Sequence, residues 1–197
     1  MTMKPNRLEA FSDGVIAIII TIMVLDLKAP HEPNLDSVLK VVPTLLTYVL
    51  SFIIVAIYWV NHHHLLHLVT KVDAGILWAN INLLFWMSLF PWVTSYLGEN
   101  HAAPLAVSAY AVVAFASGTS FNILRRIIAR HQEQSEAQHS LHARRNILSL
   151  VALICYFSAI FTAWLYVPLA LVSIAAPMMI YFFPDLIFPD HKAMKND

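Results

Sequence analysis

The stretch RLEAFSDGVIAIIITIMVLDLKAP, residues 7–30, decides the fold. Only 12 uncharged residues separate Asp13 from Asp26. At about 1.5 Å of rise each, they fall short of the roughly 30 Å hydrocarbon core of a bilayer. A spanning helix must therefore begin near Leu8 and take Phe11, Ser12 and Asp13 with it. An ionised Asp facing lipid costs about 2.5–3.5 kcal/mol at the midplane, and less near the edge. Asp13 is accordingly expected to face protein and to accept a hydrogen bond.

The rest of the chain agrees with a membrane setting. Of 197 residues, 59% are apolar and 12% charged, about half the charge of an ordinary soluble domain. Twelve bases balance twelve acids, which excludes a general basic footprint for nucleic acid. The single Cys155 excludes an internal disulfide framework and a four-cysteine metal knuckle, and reads as a small core residue. Four glycines argue against glycine-rich phosphate loops and turn-rich sheets. The class that remains is an all-α membrane protein.

Six spans of about 20 apolar residues are predicted, at 8–27, 43–66, 74–96, 103–125, 146–166 and 169–188. They form one transmembrane domain, 1–197. The first is read as a permanent helix, since FSDG interrupts its apolar run and no cleavage pattern follows. No lipidation motif is present at either end. Pro91 and Pro177 are expected to kink spans three and six, and Pro168 to set a tight hairpin between five and six.

With six spans both termini share one side. Lys4, Arg7, Lys71, Arg125, Arg126, Arg130, Arg144, Arg145, Lys192 and Lys195 gather there, against Lys28 and Lys40 opposite. The positive-inside rule puts the termini in the cytoplasm of a cell (inner) membrane. A partly helical cytoplasmic connection is expected at about 126–145, its basic ends touching lipid headgroups. Trp59, Trp78, Trp86, Trp92 and Trp164 divide between an aromatic belt and helix packing.

Projection of the first span separates two directions. Phe11, Ile18, Ile22 and Leu25 make one narrow stripe, with Thr21 about 60° round at its border. Asp13 lies about 140° from Ile18, on the face of Ala17, Ile20 and Val24. Two readings stay open on periodicity alone: a conduction path beside one face, or an ordinary packed helix with a satisfied acid.

Arg7-x-x-x-Phe11-Ser12-Asp13-Gly14 followed by VIAIIITIMVLDL resembles the signature first helix of the transmembrane protein 175 family. That family contains the endosomal and lysosomal potassium channel of animals and smaller prokaryotic relatives. The resemblance continues through Trp59-x-x-His62 and NINLLFWMSLFPW, and covers essentially the whole chain. The animal protein resembles two such six-span units in one chain, so the resemblance implies a homotetramer here. It also implies a pore lined by the first helix of each subunit, permeant K+ with other monovalent cations as alternatives, and no cofactor. Ile18 would form the narrow constriction, Thr21 an adjoining polar layer, and Ile22 and Leu25 further pore-facing positions. Arg7, Phe11, Ser12 and Asp13 would hold that helix against spans two and three, with Trp59, His62 and Asn80 as partners.

No TVGYG-like segment is present, so stacked carbonyls cannot replace a lost hydration shell. A ring of isoleucines restricts diameter and favours dewetting, and implies only moderate preference for potassium. Asp26, Glu32, Asp36 and Glu99 outnumber Lys28 and Lys40 on the outer side, which biases the mouth toward cations if they face it.

NHHHLLHLVTK sets His63 and His67 four apart and His64 and His67 three apart. Asp73 is the one carboxylate nearby, and the histidines read first as amphipathic edge residues, then as proton-sensitive contacts, and last as metal ligands; no metal site is assigned. His131, His139 and His142 lie with Glu133 and Glu136 in the polar connection, where pH sensitivity is available. Asn82, Ser88, Thr119, Ser120 and Asn122 are expected to hydrogen-bond between helices, and Gly118 to allow a close approach without a GxxxG pair.

Two other classes compete with a passive cation channel. A proton-coupled cation transporter or proton leak would use Asp13 and the histidines, but spans two, four and five offer no second buried acid. An intramembrane enzyme would need a convergent site, and neither HExxH nor GxSxG occurs. The chain is read as a channel and not as an enzyme.

Overall fold

A computed structural model describes residues 4–30, 32–100, 102–130 and 136–182, with their side chains except at 136–146 and 180–182. The described residues form seven helices: α1 (Pro5–Leu25), α2 (Leu35–Leu66), α3 (Ala74–Met87), α4 (Phe90–Glu99), α5 (Pro104–Ala129), α6 (Glu136–Leu165) and α7 (Val167–Phe182). Five segments are long and apolar enough to cross a membrane, counting α3 and α4 as one span over Ala74–Glu99. The sixth, α7, is shorter within the described residues; the part of its expected span at 183–188 lies outside them. This is a multi-pass, all-α membrane fold.

Local chemistry explains where helices start. Asn34 accepts from the Ser37 amide at 2.8 Å and Asp73 from the Ile76 amide at 2.8 Å, each satisfying an orphan donor of the first turn. α1, α4 and α5 instead carry proline in the first turn, where its missing N–H costs nothing.

Two boundaries differ from expectation. Span two starts eight residues early, at Leu35, and runs through Pro43. The Thr47 hydroxyl donates back to the Pro43 carbonyl at 3.0 Å, the i−4 bond common to threonine in helices. At 32 residues the helix is about 48 Å long and exceeds the hydrocarbon thickness. Span three is interrupted just before Pro91, where a kink was expected: α3 stops at Met87 and α4 restarts at Phe90, with Pro91 in its first turn. The Ser88 hydroxyl donates to Phe85 O at 2.7 Å and covers one carbonyl at the break. The connection expected at 126–145 is helical at both ends; residues 131–135, with His131 and Glu133, and the side chains of Glu136, His139 and His142 lie outside the description.

α5 is the packing hub, meeting α3, α4, α6 and α7, and Tyr110, Val107, Ala111 and Ala114 on it are wholly buried. α6 and α7 are joined by Tyr166 alone and pack against each other, and Ala159, Ala163, Ala170 and Ile174 on them are buried. α1 lies at the side of this bundle, against α2, α3 and α4.

Candidate functional site

α1 has two unlike faces. Leu8, Ser12, Ile16, Ile19 and Met23 are buried against the bundle. Phe11, Ile18, Ile22 and Leu25 are 56, 57, 45 and 76% exposed, and Arg7, Gly14 and Thr21 are exposed beside them. Arg7, Phe11, Gly14, Ile18, Thr21 and Leu25 follow alternating spacings of four and three along the whole helix. That is the seam of a heptad repeat, which keeps one line of residues facing a partner helix. A Cβ placed on Gly14 meets nothing of this chain within 4 Å. The Thr21 hydroxyl donates to the Ile18 carbonyl at 3.0 Å, which spends its proton within the helix and leaves its oxygen outward as an acceptor.

The opposite side of α1 is tied down by polar contacts. The Trp59 indole donates to Asp13 Oδ1 at 3.0 Å. Deeper in, a directed chain runs across three helices. His62 Nε2 donates to Asn80 Oδ1 at 2.6 Å, Asn80 Nδ2 donates to Ser12 Oγ at 2.9 Å, and Ser12 Oγ donates to Leu8 O at 2.8 Å. Since Asn80 offers its carbonyl to the ring, the imidazole proton sits on Nε2. Nδ1 is then a buried acceptor without a hydrogen-bond partner among the described residues.

Ser12, Asp13, Trp59, His62 and Asn80 are thus brought together, in two separate contacts. Arg7 and Phe11 are not. Both lie on the heptad seam, about 100° or more from the buried face, and Arg7's side chain forms no hydrogen bond or ion pair with other described residues.

A second polar knot joins α2, α4 and α5 beside the far end of α1. Thr94 donates to Ser51 Oγ at 2.7 Å, Ser51 donates to Thr47 O at 2.9 Å, and the Tyr110 hydroxyl lies 2.9 Å from Ser51 Oγ. Thr94 Oγ1 also lies 3.7 Å from Met23 Sδ on α1. No feature of the sequence singled out Ser51, Thr94 or Tyr110, because isolated hydroxyls in apolar spans carry no spacing signal.

Elsewhere, Asn82 donates to Ser120 at 2.7 Å, and Asn122 accepts from both Ser149 and Arg125 at 2.7 Å. These are helix-to-helix ties, except that Arg125 and Asn122 share α5. At the α1–α2 and α4–α5 end, Lys28 lies 3.6 Å from Glu99, both exposed. That pairing offsets part of the acidic excess expected there.

The histidine stretch meets a residue that the local sequence did not suggest. Glu9, on α1, lies 3.0 Å from His63 Nδ1 and 3.6 Å from His67 Nε2. The signal was present in helical spacing: Glu9 and Asp13 are one turn apart, as are Trp59, His63 and His67.

A first helix with one face tied to a bundle and the other exposed, among long apolar helices, defines a multi-pass membrane protein, and comparison with known proteins specifies it. The family described as "Endosomal/lysosomal potassium channel TMEM175" matches residues 7–91. A potassium channel of Chryseobacterium sp. (strain P1-3) is 41% identical over 93% of this chain and 95% of its own length. The endosomal/lysosomal proton channel TMEM175 of Mus musculus is 26% identical over 84% of this chain, which spans 36% of that protein. The crystal structure of a lysosomal potassium-selective channel TMEM175 homolog from Chamaesiphon minutus superposes with a TM-score of 0.80 at 28% identity, covering 91% of this chain and 97% of that one. The chain belongs to the TMEM175 family.

Proposed function

We propose that this protein is a potassium channel, a passive pathway with no covalent step and no cofactor. Potassium-channel function follows from its relatives. The finer reading is a homotetramer in which four copies of α1 surround one central pore. The observation that carries it is the exposed heptad seam on α1, opposite a face fixed to the bundle. Four such seams around an axis bring Ile18 into a ring that narrows the path, Thr21 oxygens into an adjoining polar layer, and Ile22 and Leu25 beside or beyond it. An apolar ring gates by dewetting rather than by replacing hydration oxygens, which supports moderate selectivity among monovalent cations. Both termini are placed in the cytoplasm of the cell membrane on the positive-charge asymmetry of the sequence.

The test is reconstitution in planar bilayers with potassium on one side and sodium on the other. A reversal potential displaced toward the potassium equilibrium value is expected; no voltage-driven current would defeat the channel reading, and a monomer by light scattering in detergent would defeat the tetramer.

A second reading, a proton leak pathway or proton-coupled transport, has one observation in its favour: the His62–Asn80–Ser12 chain with its free Nδ1. The mouse relative is named a proton channel. A reversal potential that follows a pH gradient under symmetric potassium would favour it.

A further inference from the structure

We propose that Glu9, His63 and His67 form a binding site for a divalent transition metal, with zinc as the representative ion, bridging α1 and α2. The site is separate from the pore reading and stands without it. Its donors come from the second turn of α1 and from the end of α2, where His63 and His67 stand one turn apart. One oxygen or nitrogen from each residue lies within 4.8 Å of the others.

The three side chains stand close enough to share one ion. His67 Nε2 is 3.1 Å from His63 Nε2 and 3.6 Å from Glu9 Oε1. Metal–donor bonds of about 2.0–2.2 Å in a tetrahedron set donor–donor edges of about 3.4 Å. His63 Nδ1 lies 3.0 Å from the Glu9 carboxylate yet has no hydrogen bond of acceptable geometry, although it is buried. A neutral imidazole gives an ion one nitrogen, so His63 ligates through one ring nitrogen and keeps its proton on the other.

The surroundings suit a bound ion. Glu9, His63 and His67 side chains are 20, 39 and 60% exposed, so an ion has access. Trp59 stacks on His63 with centroids 6.1 Å apart and is itself held by Asp13, which steadies the ring as outer contacts do at metal centres. Two imidazoles and one carboxylate select zinc-like ions over magnesium or calcium, which prefer oxygen donors. Three protein ligands leave one position for water.

The experiment uses the tag-free full chain in detergent, stripped with chelator and titrated with zinc chloride by calorimetry and by thermal unfolding. One zinc per chain and a rise in Tm are expected. Glu9→Gln and His67→Gln should each weaken zinc affinity about 100-fold or more, while His64→Ala, on the adjacent exposed residue, keeps it. Folding of each variant is read from its size-exclusion profile, and His67 is exposed enough for its exchange to leave the bundle intact. Absence of zinc binding by the native chain, unchanged affinity in Glu9→Gln/His67→Gln, or equal affinity for magnesium would each overturn the proposal.

Discussion

The Trp59 indole nitrogen reaches across from α2 to Asp13 on α1 and donates to its carboxylate at 3.0 Å. The contact joins the acid of the first span to a helix end that also carries His63, stacked on the same indole. Trp59→Phe removes the donor and keeps much of the ring. A stability loss of about 1–2 kcal/mol is expected, read as a lowered midpoint of thermal unfolding in detergent. Asp13→Ala should lower expression and assembly; a normal size-exclusion profile would contradict this role.

The Ser12–Asn80–His62 chain is wholly buried. Asn80→Leu has similar volume but strands the His62 Nε2 proton and removes the donor to Ser12. The expected cost is about 2–3 kcal/mol, more than the roughly 0.6 kcal/mol typical of a single polar tie between membrane helices. Equal stability of variant and native protein in a denaturant titration would mean that the chain is not under such constraint.

Gly98 on α4 faces α2 closely enough that an added Cβ would lie 3.1 Å from Thr44 Cα and Cγ2. One of those atoms is backbone and cannot swing away. Gly98→Ala is therefore expected to destabilise by about 1–3 kcal/mol, although alanine is the better helix former. Gly14→Ala, with open space at its Cβ, is expected to fold normally within the subunit.

Ile18→Asn tests the constriction. A polar ring is easier to wet, so basal current should rise and the reversal-potential difference between potassium and sodium should shrink. Single-channel recordings with unaltered conductance and selectivity would remove Ile18 from the narrow point.

The order of the spans was legible because a bilayer imposes a length and a composition that hydropathy reads directly. The two faces of α1 were legible too, since Phe11, Ile18 and Leu25 repeat with a period the helix must obey. The position of α2's start was not: Pro43 looks like a boundary, yet the helix runs through it from Leu35. Arg7 and Phe11 were expected beside Asp13 because they share its motif, but a few residues along a helix change direction completely. Glu9 was overlooked because its partners are more than fifty positions away, and a scan around the histidines cannot see across α1.

On one flank α1 is held by the Asn80 hydrogen bond at Ser12, and the buried Met23 sulfur packs against the Thr94 hydroxyl, whose proton goes to Ser51. Met23 stands eleven positions beyond Ser12, a distance of about 16 Å along the helix. A rod clipped at two points resists spinning in place. In the proposed tetramer, any widening of the space in front of it would come from leaning the entire subunit, so the diameter of the path would be set by how neighbouring copies tilt against one another.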